Sequence, residues 1–240
     1  MSLLSVEELR AEFGGIIALS DLSFSVELGE ICALIGPNGA GKTTLFNCVS
    51  RLYEPKSGRI VFRDQELLGL PAHGIARAGI ARTFQNLALF PALTVLDNVL
   101  VGGYSRRIKA RKRRAEAMEI LDRLSLADLA GRHAVGLPYG TLKRIEIARA
   151  MAAHPRLLLL DEPAAGLTHS EVDELSDLIR SLRDDLALTV LLVEHHMAMV
   201  MAISDKIVVL DFGSKIAEGT PAEVRDNPKV IEAYLGTPVS

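Results

Sequence analysis

Cysteine is scarce in this chain of 240 residues, and its two copies, Cys32 and Cys48, lack metal-ligand spacing, so both read as small buried hydrophobes. A basic excess is also missing. The formal net charge is −3, which leaves no global electropositive footprint and excludes nucleic acid as the principal partner. No stretch approaches the roughly 18 uninterrupted apolar residues that a spanning helix needs, so any membrane this chain serves is crossed by other chains. The opening MSLLSVEELR carries acids and has no basic region leading into an apolar one, which argues against a secretory signal and for a reducing cytoplasm. Internal repeats and low-complexity linkers are absent too. What is present is a 49% hydrophobic composition, enough to bury one large domain, or a core with a small subdomain.

The octapeptide GPNGAGKT, Gly36 to Thr43, follows the apolar run Ile31 to Ile35 and fits G-x-x-x-x-G-K-[ST] without mismatch. Backbone N–H groups that turn inward around an anion need φ values that residues with side chains reach only at a cost, hence the glycines. Lys42 supplies a point charge, Thr43 offers a hydroxyl to Mg²⁺, and a helix starting near Lys42 aims its positive end at the phosphates. The expected ligand is a nucleoside triphosphate with magnesium.

Turn signals and apolar runs predict strands at Leu22 to Val26, Ile31 to Ile35, Arg59 to Phe62, Leu157 to Leu160, Thr189 to Val193 and Ile207 to Leu210. The later runs are continuously apolar, as parallel strands covered on both faces are, so the fold class is α/β. Residues from about Asp97 to His154 read as helical, with Ala117, Ile120, Leu121 and Leu124 on one face. They form an expected inserted helical subdomain, about 91–154, within a core made of 1–90 and 155–240. Thr168 and Glu171 have capping-box spacing ahead of a helix at Ser170 to Arg183, and Pro221 and Pro228 punctuate a short helical tail.

More chemistry sits at strand ends. LLLLDEP puts Asp161 where a strand exits, able to reach Mg²⁺, and makes Glu162 the candidate to orient and polarise an attacking water. Past the next strand, His195 of Glu194-His195-His196 can hold the γ-phosphate and that water in register. His73, His133, His154, His169 and His196 read as surface residues. Gln85 of ARTFQN can join the metal shell through its amide oxygen, and Gly140, just before a helix bearing Leu142, Ile145 and Ala148 on one face, marks a second helix start able to meet an anion.

In order, GPNGAGKT, Gln85, LPYGT with RIEIARAM, LLLLDEP, EPAAGL and EHH resemble the full motif set of an ABC transporter ATP-binding subunit, over nearly the whole chain. The resemblance implies a P-loop NTPase core with a mostly parallel sheet, an N-terminal antiparallel β region and the helical subdomain. It implies ATP bound by Phe13, stacked on adenine, and by Gly36, Pro37, Asn38, Gly39, Ala40, Gly41, Lys42, Thr43 and Thr44. Mg²⁺ would be held by Thr43, Gln85 and Asp161, with Glu162, His195 and Lys42 catalytic. Leu137, Gly140 and Thr141 would complete a partner subunit's site, two subunits sandwiching two ATP molecules. Gln85 and the loop after it would contact an integral membrane permease at the cytoplasmic face of the plasma membrane, with an extracytoplasmic solute-binding protein acting indirectly. More narrowly, ARTFQN, PYGTLKRIEIARAM, EPAAGL and the ending GTPAEVRDNPKVIEAYLG are similar to the ATP-binding subunits of branched-chain amino-acid importers. Lipopolysaccharide-export ATPases share the length and tail. A non-catalytic regulatory subunit is the alternative that the signature suggests.

That signature departs from the usual Leu-Ser-Gly-Gly-Gln. Pro138 replaces the serine, Tyr139 the first glycine and Thr141 the glutamine, and the turn Ala164 to Leu167 lacks its usual terminal aspartate. Both departures lie at the expected dimer interface, so the chain is expected to pair with a non-identical ATPase subunit. Arg106 to Arg114 holds seven basic residues in nine at a helix start, where they oppose the macrodipole. They read either as a solvated, partly frayed face or as a contact for lipid headgroups or an acidic loop.

Overall fold

The turn at Gly14-Gly15 joins two long antiparallel strands, β1 (Ser2–Phe13) and β2 (Ile16–Glu27), in the computed structural model, which describes residues 2–85 and 87–235. Next come β3 (Ile31–Ile35), α1 (Lys42–Val49), β4 (Ser57–Phe62) and β5 (Gln65–Glu66). The N-terminal sheet has the order β2-β1-β4-β5 and is antiparallel throughout. After α2 (Ala72–Ala78) and β6 (Ile80–Arg82), three helices follow in succession, α3 (Val95–Gly102), α4 (Ala110–Arg123) and α5 (Tyr139–Met151). The chain then alternates through β7 (Leu157–Asp161), α6 (His169–Leu186), β8 (Thr189–Val193), α7 (Met197–Ile203) and β9 (Lys206–Asp211). It closes with β10 (Ser214–Gly219), α8 (Pro221–Arg225) and α9 (Pro228–Leu235).

The second sheet has the order β10-β9-β3-β8-β7-β6, parallel from β9 to β6, with β10 antiparallel at the edge. Its strands are apolar on both sides because both faces are covered. Leu158, Leu160, Val190 and Leu192 pack into one cluster with residues of α3, α4, α5 and α6. Leu157, Leu159, Leu191 and Val193 face the other way, into a cluster with α1 and the N-terminal sheet. Each such side chain, wholly withdrawn from water, contributes about 1.5–3 kcal/mol. Because β3, β6, β7 and β8 are parallel, their carboxyl ends lie along one edge of the sheet, where open α/β sheets bind their ligands.

Several elements differ from the sequence expectation. The predicted helical stretch 97–154 is broken: α3 starts earlier, at Val95, on a Thr94 cap that accepts from the Asp97 N–H, and residues 106–109 and 124–138 lie outside the α-helices. Gly131, Gly136 and Pro138 in the second gap explain that interruption. The capping box of α6 is formed as predicted, and Thr220 with Glu223 makes another in front of α8. Asn86 of ARTFQN and Gly236, which ends the tail motif, lie outside the described residues.

The basic run is partly tied down. Arg106 pairs with Glu116, which also meets His154 at 3.3 Å and Lys112 at 3.8 Å. Arg113 lies 4.4 Å over the Tyr104 ring and donates to the carbonyls of Arg106 and Ile108. Arg107, Lys109, Arg111, Lys112 and Arg114 are exposed.

Candidate active site

The loop from Gly36 to Gly41 bends between the end of β3 and α1 in a form only glycine permits at its two ends. A Cβ on Gly36 (φ 151°) would stand 2.1 Å from the Leu210 carbonyl oxygen, and one on Gly41 (φ 102°) 2.5 Å from that of Ala18. No side chain caps α1, whose N-cap is Gly41, so its first-turn N–H groups face the hollow of the loop. Lys42 is buried, and its Nζ donates to the carbonyls of Gly36 (2.7 Å) and Pro37 (2.9 Å). Burial lowers its pKa, opposed by the negative charges of Glu162 and Asp161. The ammonium therefore stands between loop carbonyls and carboxylates, able to exchange them for phosphate oxygens. The turn between β9 and β10 braces the loop, with the Gly213 N–H on the Ala40 carbonyl (3.1 Å).

Glu162 is the junction of the other strand ends. Its backbone is left-handed (φ 49°), an uncommon state for a residue with a side chain, and is held by an N–H bond to the Val193 carbonyl (2.9 Å). Its carboxylate accepts from Gln85 Nε2 at 2.8 Å through Oε2 and lies 3.0 Å from His195 Nε2 through Oε1. Three predicted residues, far apart in sequence, thus converge on one carboxyl group. Gln85 reaches Glu162 rather than Asp161, whose Oδ2 instead takes a 2.8 Å bond from Arg82. Thr43 and Thr44 lie on the first turn of α1, Thr43 exposed. Phe13, 41% exposed at the end of β1, sets its ring edge-on to Tyr53, with centroids 5.0 Å apart.

The Thr43 hydroxyl, the Gln85 amide oxygen and the Asp161 carboxylate are hard-oxygen donors of the kind that fits Mg²⁺. Among the described residues no cluster of three or more His, Cys, Asp or Glu makes a metal cage.

The ABC transporter family profile matches residues 19–165. The chain belongs to this family. Among its relatives, the high-affinity branched-chain amino acid transport ATP-binding protein LivG of Escherichia coli is 47% identical, over 98% of each chain. Protein BraF of Pseudomonas aeruginosa, described in the same words, is 46% identical over the same share of each. The E. coli lipopolysaccharide export system ATP-binding protein LptB is more distant, at 35% identity over 98% of each chain. A profile described as a branched-chain amino acid ATP-binding cassette transporter matches residues 214–240. The crystal structure of the ADP conformation of an ATP-binding cassette of an ABC transporter superposes with a TM-score of 0.91 at 31% identity, covering 99% of this chain and all of that one. A dimeric post-hydrolysis ATP-binding cassette bound to ADP and Pi superposes with a TM-score of 0.80 at 26% identity, over 91% of this chain and 98% of that one.

In this ABC ATPase the LPYGT segment forms the start of α5. Leu137 is buried, Pro138 is the N-cap, and Gly140 and Thr141 lie in a first turn that no side chain caps. Tyr139 packs on the turn after β7: a Cβ on Gly166 would stand 3.2 Å from its ring. No hydrogen bond or ion pair among the described residues joins residues 137–141 to residues 36–44 of the same chain.

Charged groups that the sequence reading did not single out support the site. Lys143, Glu146 and Arg149, three apart along one face of α5, hold the loop after β6 by its main chain. Glu146 accepts the Phe84 N–H (3.1 Å), Lys143 donates to the Gln85 carbonyl (3.4 Å) and Arg149 donates to the Ala88 carbonyl. Burial raises the pKa of Glu146. Glu194, also buried, accepts from the N–H groups of Ala164 (2.7 Å), His195 (2.7 Å) and His196 (2.9 Å), and so staples the loop after β8 to the loop after β7. The available signal was an acid on an otherwise buried helix face or directly after a buried strand.

Proposed function

We propose that this chain is the ATP-hydrolysing subunit of an ABC importer for branched-chain or other hydrophobic amino acids. Lys42 and the loop amides bind the phosphates, Phe13 stacks on adenine, Glu162 polarises the attacking water, and His195 holds that water and the γ-phosphate in register. Magnesium supplies charge neutralisation at the phosphates when bound, and Thr43, Gln85 and Asp161 are the residues to hold it. The observation that carries the reading is the Glu162 carboxylate bracketed by Gln85 and His195 beside the Lys42 cradle. The solute class is supported by relatives at 46% and 47% identity and by the profile on residues 214–240. Intact Glu162 and His195 weigh against a subunit that binds ATP without turnover.

The membrane partner docks, on this reading, in an apolar cavity of about 450 Å³ lined by Phe84, Ala88, Phe90, Val101 and Ala150. It lies beside the Gln85 loop, so an occupant touches the segment that reaches Glu162. Among the described residues no helix is long and apolar enough to cross a membrane. Two permease subunits therefore span it, a solute-binding protein acts from outside, and this chain is peripheral at the cytoplasmic face. A second ATPase subunit, non-identical given LPYGT, completes the ATP sandwich. Copurification of the tagged chain with two multispanning proteins and a second ATPase, with ATP-dependent leucine uptake by vesicles holding the assembly, tests the proposal. Uptake that persists without this chain would overturn it.

A further inference from the structure

We propose that Arg82 is a positioning residue: its guanidinium sets the orientation of Asp161 at the metal site and ties that carboxylate to the apolar groove beside the Gln85 loop. The inference rests on the assignment of Asp161 to magnesium made above and deepens it.

Arg82 ends β6, and β6 pairs with β7 so that Arg82 stands opposite Leu159, two residues before Asp161. Its Nη2 reaches Asp161 Oδ2 at 2.8 Å, with the two side chains only 8% and 4% exposed. Its Nη1 is fixed by Asn47 Oδ1 (2.8 Å) and Ser50 Oγ (3.2 Å), on α1 and its C-cap. Two aromatic rings flank the guanidinium carbon, Phe46 at 5.4 Å and Phe84 at 5.1 Å. The group is thus fixed by hydrogen bonds and by ring faces, although its buried Nε finds no partner.

A buried ion pair contributes little net stability, since desolvation offsets most of the attraction, so stability alone is a poor account of this arrangement. What it supplies is direction. The bond takes up Oδ2 and leaves Oδ1 as the carboxylate oxygen that the guanidinium does not engage. A lysine in the same place would bring charge without the fork that reaches Asp161, Asn47 and Ser50 together. The tie to the groove is Phe84, which is 39% exposed and lines the groove together with Arg82 itself. An occupant that displaces the Phe84 ring acts on the guanidinium beneath it, and through that on Asp161.

The test is a magnesium chloride titration of the affinity of the purified full-length chain for a fluorescent ATP analogue, with melting temperature recorded alongside. Arg82→Lys is expected to raise the half-saturating magnesium about tenfold and Arg82→Met about a hundredfold, with affinity in EDTA unchanged. Phe84→Ala is expected to raise it about two- to fivefold, through loss of one ring face. A merely structural arginine would lower the melting temperature and leave the magnesium midpoint where it was. That outcome in folded Arg82→Lys would overturn the proposal, and Arg82→Lys serves as the deciding variant should Arg82→Met fail to fold. If the unaltered chain shows no magnesium dependence, the metal assignment itself fails, and this inference with it. Dependence that is present and identical in the variants sinks this inference alone.

Discussion

Glu162 and His195 stand 33 residues apart in the chain, yet Oε1 of the one lies 3.0 Å from Nε2 of the other, while Gln85 donates to the opposite carboxylate oxygen at 2.8 Å. A carboxyl group held from both sides in a left-handed backbone is pre-aimed. Glu162→Gln keeps the hydrogen-bonding shape but not the basicity. It should retain ATP affinity within about twofold and lose about 10²–10⁴ in turnover. Phosphate release by the assembled transporter, with binding measured in parallel, checks this, and undiminished turnover would remove Glu162 from its role.

Lys42→Ala attacks binding instead. It removes the cation beside the phosphates and two hydrogen bonds to loop carbonyls. Calorimetry should show ATP affinity reduced by about two orders of magnitude or more, as expected when charge-assisted bonds to phosphate are lost.

Glu146 offers a test against pH. Its carboxyl has a pKa above the usual 4.5 in the folded chain, because burial outweighs the Phe84 N–H and the nearby Lys143 and Arg149. The folded state therefore holds the proton more tightly than the unfolded one. Its contribution is fully present below pH 4.5 and is lost as pH rises through the folded value. Glu146→Gln, which stays neutral and still accepts from Phe84, should lack that slope, so urea midpoints of the two proteins should diverge as pH rises from about 4 to 7. Parallel curves would contradict the assignment.

Glu194 gathers three N–H groups from two loops. Its replacement by alanine leaves the buried Ala164 N–H unpaired, at about 1–3 kcal/mol, while the His195 and His196 N–H groups, partly open to water, are compensated more cheaply. A fall in melting temperature of roughly 2–12 °C follows for a domain of this size, together with loss of turnover as His195 is released. A fall of under about 2 °C would show that water takes over the bonds.

The altered LPYGT segment bears on assembly. With Pro138 at the cap, no serine hydroxyl meets a partner's γ-phosphate, and one charge-assisted bond amounts to about 1.5–3 kcal/mol, or one to two orders of magnitude in association. Glu162→Gln protein with ATP and magnesium should remain monomeric by light scattering when alone and dimerise with the second ATPase subunit. A tight homodimer would contradict the heteromeric reading.

The cradle and the acids at strand ends were legible in the sequence because their spacing is dictated locally, by a loop that must turn and a strand that must end. So were α6 and its cap. β1 escaped notice because Glu8, at φ 47°, and several register shifts break the two-residue alternation, and β6 because it spans three residues, Ile80–Arg82. The supporting charges were hidden for a different reason. Arg82 meets Asp161 across 79 positions and Phe84 meets Glu146 across 62, and no local pattern encodes such pairs.

The face of α5 that grips the Gln85 loop through main-chain groups has a consequence for chimeras. Because the anchors are peptide N–H and C=O groups, the loop's side chains other than those of Phe84 and Gln85 can vary while α5 must keep its acid and two cations. Grafting a foreign loop that keeps Phe84 and Gln85 onto this ATPase should succeed with α5 untouched, whereas grafting a foreign α5 requires those charges to travel with it.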